Sequence, residues 1–138
     1  MSKMLVDSSF LYPLFEENNR RHEAVITIAE LYSAQMIVPY VVLTETAFLF
    51  RRAGGVPAVM GFIQALIASR VQFEIVTVDD LNRASEIMAA YPEAELDFVD
   101  CCIMALSERL NITEVCTLDR RDFSIFRPRH CAYLEILP

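Results

Sequence analysis

Four acidic residues stand in four different settings along the chain. Asp7 closes a short apolar run, Glu45 lies inside a helical stretch, Asp100 falls near the start of another helix, and Asp119 follows a second apolar run. Carboxylates gathered in one place repel each other and raise each other's pKa. A hard divalent cation such as Mg²⁺ or Mn²⁺ removes that cost because it prefers oxygen ligands. Such an ion can orient a water, lower its pKa and stabilise the charge that builds on a phosphodiester during in-line attack, so no nucleophilic side chain is required. The spacings are 38 (45 minus 7), 55 (100 minus 45) and 19 (119 minus 100), too wide for any local motif. Only a fold can bring these acids together.

Each acid also has a plainer reading. Asp97-Phe98-Val99-Asp100 has the form of a helix cap followed by an acid at the third helical position, which satisfies free N–H groups and favours the helix dipole. Asp97 is therefore read first as a cap and second as a site residue, and Asp100 stays open between cap and ligand. Asp7 can cap a helix beginning at Ser8, Asp119 can start a turn, and Glu45 alone reads as a solvated helix residue. Ser8 and Thr117 are hydroxyl neighbours of Asp7 and Asp119, able either to support a carboxylate, a metal-bound water or a phosphate, or to cap locally. His22 and His130 have no Ser or Cys motif beside them and are expected at the surface or at helix ends. Arginines come in pairs, of which Arg120 and Arg121 are the best placed to touch nucleic acid because they directly follow Asp119.

The elements that must position these residues follow from periodicity. Residues 4–7 read as a buried strand, residues 21–33 as an amphipathic helix with Val25, Ile28, Ala29 and Tyr32 on one face, and residues 36–38 as a second strand. A helix over 41–53 stops at Gly54-Gly55, and Pro57 opens the next. Residues 71–78 read as a strand, Asp79 as the cap of the helix that follows, Pro92 as a break, and Asp97 as the start of a helix running to about Leu110. Residues 114–118 and 133–137 close the series as strands. Strands alternating with helices imply an α/β fold with a mostly parallel sheet covered on both faces. Ligands of such sheets bind beyond the carboxyl ends of the strands, where Asp7 and Asp119 are expected.

Composition bounds the reading. The 138 residues fit one domain spanning 1–138, and an apolar fraction of 54% with no Trp and only 3 Gly excludes disordered, collagen-like and low-complexity chains. The N-terminal stretch is unsuited to a secretory signal or a membrane span, so a cytoplasmic protein is expected. Cys101, Cys102, Cys116 and Cys131 lack metal-ligand spacing and are expected as reduced core residues. A net charge of −7 runs against loose phosphate binding, although acids collected in a cation site account for part of it.

Five blocks occur in order: LVDSSFL, VVLTETAF, LDFVDCCIMALSERL, VCTLDRRDFSIFRPRH and YLEILP. Together they resemble the PIN-domain family, in particular its VapC-like branch, the toxins of type II toxin/antitoxin pairs. The resemblance spans essentially the whole chain. It implies a three-layer α/β/α fold, Mg²⁺ or Mn²⁺ dependence, endoribonuclease action on RNA, and Asp7, Glu45, Asp100 and Asp119 as metal-holding catalytic acids. It also implies a homodimer and a small antitoxin that lays a peptide across the acidic groove, sometimes presenting an arginine. Asp97 departs from the pattern as an extra acid, and Cys101-Cys102 stands where small residues are common. An aspartate-nucleophile phosphatase would need a second carboxylate where Ser8 and Ser9 follow Asp7, and a phospho-acceptor receiver would need paired acids there. The remaining alternatives are a catalytically silent PIN-like dimer that binds a protein partner, and an RNA-processing PIN nuclease without an antitoxin.

Overall fold

The apolar run at the N-terminus forms β1 (Met4–Val6), whose three side chains are all buried. The computed structural model describes residues 3–32 and 35–138. Strand β2 (Met36–Pro39) is likewise buried along its whole length. Continuous rather than alternating burial is what a parallel sheet covered on both faces demands. With β3 (Gln72–Glu74), β4 (Glu114–Cys116) and β5 (Glu135–Leu137), the strands form one sheet in the order β3-β2-β1-β4-β5. All four pairings are parallel, so the sheet is wholly rather than mostly parallel. Leu5 sits between Ile37 and Val115, which fixes β1 as the central strand.

The strand order reverses at β1. From β1 the chain steps to β2 and β3 on one side, then returns across to β4 and β5 on the other. Right-handed crossovers therefore put α1 (Ser8–Phe15), α2 (His22–Tyr32) and α3 (Tyr40–Ser69) on one face. The same rule puts α4 (Val78–Ala90), α5 (Phe98–Arg109) and α6 (Arg121–Ile125) on the opposite face. The result is three layers, with the reversal opening a crevice at the carboxyl ends of β1 and β4.

Local chemistry explains most element ends. Helix α2 buries Val25 and Ala29, as its spacing requires; residue 33, its expected end, lies outside the described residues. Helix α3 is broken where Gly54 (φ −147°, ψ 16°) and Gly55 (φ 71°, ψ −164°) leave the helical region, and its second limb restarts through Pro57. Tyr12 and Phe15 of α1 pack edge-on against Phe50 and Phe62, one from each limb of α3, and those two rings stack at 4.7 Å. The break thus lets both limbs wrap the same aromatic cluster.

Three expectations need correction. The strand over 71–78 shrinks to β3 because its partner β2 ends at Pro39, which pairs with Glu74. Helix α4 is capped by Thr77 rather than Asp79: Thr77 Oγ1 accepts the Asp80 N–H (3.1 Å) and Asp80 Oδ2 accepts the Thr77 N–H (2.9 Å). This reciprocal box satisfies two donors, and Asp79, two residues after Thr77, lies inside the first turn rather than at its cap. Strand β4 ends at Cys116, and the following residues turn into α6, a short helix that periodicity did not signal.

Phe10, Val6, Leu106, Val115 and Phe126 are fully shielded from solvent at the centre of the core. The four cysteines are free thiols, and Cys101, Cys102 and Cys116 are buried. Among the described residues no helix is long and apolar enough to cross a membrane.

Candidate active site

Asp7 leaves β1 at the reversal of strand order. Its backbone N–H continues the ladder to the Cys116 carbonyl (3.0 Å), and its side chain caps α1 by accepting the Ser8 N–H at Oδ1 (2.8 Å). Oδ2 accepts the hydroxyls of Thr117 (2.8 Å) and Ser9 (3.1 Å). Asp7 is therefore a cap and a site candidate at once, since capping occupies one oxygen edge and the hydroxyls orient the other. The Ser9 hydroxyl oxygen lies 2.9 Å from that of Thr117 and accepts the Leu118 N–H (2.9 Å). The carboxyl ends of β1 and β4 are thus stitched together by side chains where the backbone ladder stops.

Glu45 sits on the first limb of α3, where the Ser8 hydroxyl donates to its Oε1. Asp100 lies in the first turn of α5, which Asp97 caps by accepting the N–H groups of Val99 (3.0 Å) and Asp100 (3.3 Å). The cap reading of Asp97 is the one the geometry bears. Asp100 is 5% exposed and Asp7 3%.

Their electrostatics follow from that burial. Desolvation pushes the Asp7 carboxyl above its ordinary 3.8, outweighing the hydrogen bonds from Thr117, Ser8 and Ser9, and the Glu45 charge pushes the same way. The Asp100 carboxyl rises to about 9, first from burial, then from the Asp7 charge, a hydrogen bond with Asp122 and the charges of Asp97 and Asp122. Among the described residues no ion pair reaches Asp7, Glu45 or Asp100. Buried like charges without a counter-charge are the condition that a bound cation relieves. Among the described residues no group of three or more His, Cys, Asp or Glu stands close enough together to hold a metal ion.

Asp119 takes a more peripheral place. It lies on the exposed turn after β4, and its N–H donates to Thr117 Oγ1 (3.0 Å), so it joins the cluster through the hydroxyl that orients Asp7. Arg120 donates to the Pro138 carbonyl (2.8 Å), while Arg121 donates to Asp122 (2.8 Å) and the Ala94 carbonyl (2.6 Å). Both arginines remain exposed at the rim. His22 bonds the Pro13 carbonyl and His130 the Ile112 carbonyl, each away from the acids.

Two residues escaped the sequence reading. Ser9 gave no signal, because its partners Thr117 and Leu118 are distant in sequence. Asp122, buried on α6, hides in a five-residue helix too short to show a period. A cavity of about 540 Å³ between α4 and α5 is lined by Arg83, Glu108, Arg109 and Arg129 among others and holds none of these acids. The candidate chemistry belongs to the crevice at the sheet edge.

Comparison with known proteins agrees with this geometry. The chain is 24% identical over 135 residues to Ribonuclease VapC26 of Mycobacterium tuberculosis, which covers 98% of this chain and 100% of that one. Its fold matches that of Mycobacterium tuberculosis VapC20, a sarcin-ricin loop cleaving toxin. The TM-score is 0.82 at 24% identity, over 99% of this chain and 100% of that one. A DNA-bound VapBC from Salmonella typhimurium matches with a TM-score of 0.73 at 13% identity, over 99% and 97%. The PIN domain family pattern covers residues 4–127, so with its parallel sheet and sheet-edge acids the chain belongs to the PIN-domain family.

Proposed function

We propose that this protein is a Mg²⁺- or Mn²⁺-dependent endoribonuclease and the toxin of a toxin/antitoxin pair. One observation carries the reading: Asp7 and Asp100 are buried acids with raised pKa values at the point where the strand order reverses, the Asp7 charge adding to the rise at Asp100, with no ion pair among the described residues to relieve them. The similarity to a VapC ribonuclease supports the same activity. The donor set is purely carboxylate oxygen, which fits a hard divalent cation. Asp7, Glu45, Asp100 and Asp119 would hold it. When bound, the cation supplies neutralisation of the crowded acids and activation of water toward a phosphodiester.

The chain's own residues do the rest. Thr117, Ser9 and the Ser8 N–H fix the orientation of Asp7, while the Ser8 hydroxyl holds Glu45. Asp97 holds the first turn of α5 and so the position of Asp100. Arg120 and Arg121 offer exposed positive charge beside an acidic groove, where the RNA backbone needs it. Exposed Phe48, Met60, Ile63 and Ile67 on α3 support a face covered by protein, a second copy of this chain and an antitoxin being its expected occupants. An RNA-cutting toxin paired with an antitoxin would work in the cytoplasm, which is the location this reading carries.

The test is cleavage of total RNA and short single-stranded RNAs by purified protein in Mg²⁺, Mn²⁺ or EDTA, beside Asp7→Asn. Cutting that needs the metal and disappears in the variant is the expected result. Undiminished cutting by Asp7→Asn would overturn the assignment, and complete inactivity of the wild type would favour the silent, partner-binding reading.

A further inference from the structure

Asp122 lies outside the four candidate ligands, yet its carboxylate is fully engaged. It is 5% exposed. Oδ2 accepts the Asp97 N–H (3.0 Å), Oδ1 accepts from Arg121 Nη1 (2.8 Å), and the carboxylate also shares a hydrogen bond with the Asp100 carboxyl. Arg121 reaches past it through Nη2 to the Ala94 carbonyl (2.6 Å), and the Tyr91 hydroxyl accepts the Arg127 N–H (2.9 Å). Helix α6 and the residues after it therefore grip the segment between α4 and α5 at three points along its length. That segment is the entry to α5.

The order of these contacts gives Asp122 its leverage. Asp100 is oriented by the first turn of α5, and that turn is held by the Asp97 side chain. Asp97 is anchored through its own N–H, and the anchor is Asp122. The same carboxylate touches Asp100 directly, so both the backbone and the side chain of the candidate ligand are referenced to one buried group. Small misplacements of a reacting constellation have large effects on rate, about 100-fold for a shift of about 1 Å. Without that acceptor the Asp97 N–H no longer ties this segment to α6.

We propose that Asp122, steadied by Arg121, is the positioning residue of the site, clamping the Asp97 cap and the Asp100 carboxyl so that α5 presents Asp100 to Asp7. Only its effect on rate depends on the nuclease reading above. The clamp itself is a property of the folded chain and is measurable without RNA.

The full chain is compared with Asp122→Ala, Asp122→Asn and Arg121→Ala, reading amide hydrogen exchange by NMR and Mg²⁺-dependent RNA cleavage. In Asp122→Ala, exchange at Asp97, Val99 and Asp100 accelerates about tenfold relative to Ile103 deeper in α5. In the same variant kcat falls about 100-fold with KM within about threefold of wild type. Asp122→Asn keeps an oxygen for the Asp97 N–H, so it recovers protection and most of kcat. Asp122→Asn with protection intact but kcat as low as the alanine variant would overturn the proposal and make the carboxylate itself a ligand. Unchanged exchange at these amides in Asp122→Ala would also overturn it. Should Asp122→Ala not fold, Arg121→Ala decides, because its side chain is 59% exposed; intermediate loss of protection supports the clamp and wild-type protection refutes it. A wild type that cuts no RNA would remove the nuclease reading, while the exchange measurements would still decide the clamp.

Discussion

Asp100→Asn tests the electrostatics of the site without touching its shape. The Asp100 carboxyl is pushed up to about 9 from 3.8, burial being the largest cause and the charge on Asp7 the next. Between those two values the folded protein holds a proton that the unfolded chain has released. Stability in the absence of metal therefore falls as pH rises through this window, and the loss is complete above the folded value. One such group sets a limiting slope of about 1.4 kcal/mol per pH unit. Water entry and side-chain rearrangement soften burial penalties, so from about pH 5 to about pH 7 the loss due to Asp100 comes to about 1–3 kcal/mol. Asparagine cannot ionise and still donates toward Asp122, so the variant lacks this slope and is the more stable chain at neutral pH. Urea denaturation in EDTA at several pH values reads the difference between the two chains directly. Parallel pH profiles for wild type and variant would refute the reasoning. Saturating Mg²⁺ should then raise the wild-type midpoint most at alkaline pH, where the proton no longer competes, and leave Asp100→Asn almost unmoved.

Three further outcomes are expected. Thr117→Val removes the hydroxyl that bonds Asp7 Oδ2 at 2.8 Å; it lifts the Asp7 pKa further and raises the Mg²⁺ concentration for half-maximal thermal stabilisation about tenfold. Gly55→Ala forces a side chain onto φ 71° at the break in α3, costing about 1 kcal/mol in urea denaturation with cleavage per folded molecule unchanged. Arg83→Ala strips Glu108 of a two-point partner at 2.6 and 3.1 Å, with side chains 19% and 10% exposed. The loss of about 1–3 kcal/mol is read from the denaturation midpoint.

Sequence was informative where one residue announces its own role. An acid ending an apolar run placed Asp7, the Asp97-x-x-Asp100 spacing placed the entry to α5, and paired glycines placed the break in α3. It failed where the cause lay elsewhere in the chain. Residues 71–78 look like one strand, but β3 can run only as far as β2 accompanies it, and β2 ends where α3 begins. Adjacent acids at 79 and 80 concealed which partner Thr77 would take. Ser9 and Asp122 are defined by partners on other elements, which no local pattern encodes. Glu45 carried no local signal of its own: the family resemblance made it a candidate, and the Ser8 hydroxyl that holds it comes into view only in the fold.

The central strand also imposes a timetable. β1 leaves the ribosome well before its neighbour on one side, β4, because Val6 pairs with Cys116, 110 residues later in the chain (116 minus 6). At 5–20 residues per second, β1 waits on the order of ten seconds with that edge unpaired. Through the same interval Asp7 lacks Thr117, and α5, once made, waits a further short stretch for the group on α6 that anchors its first turn. A nascent chain is therefore chemically incomplete until β4 and α6 have emerged, and one cut short before them carries a sticky sheet edge and no assembled crevice.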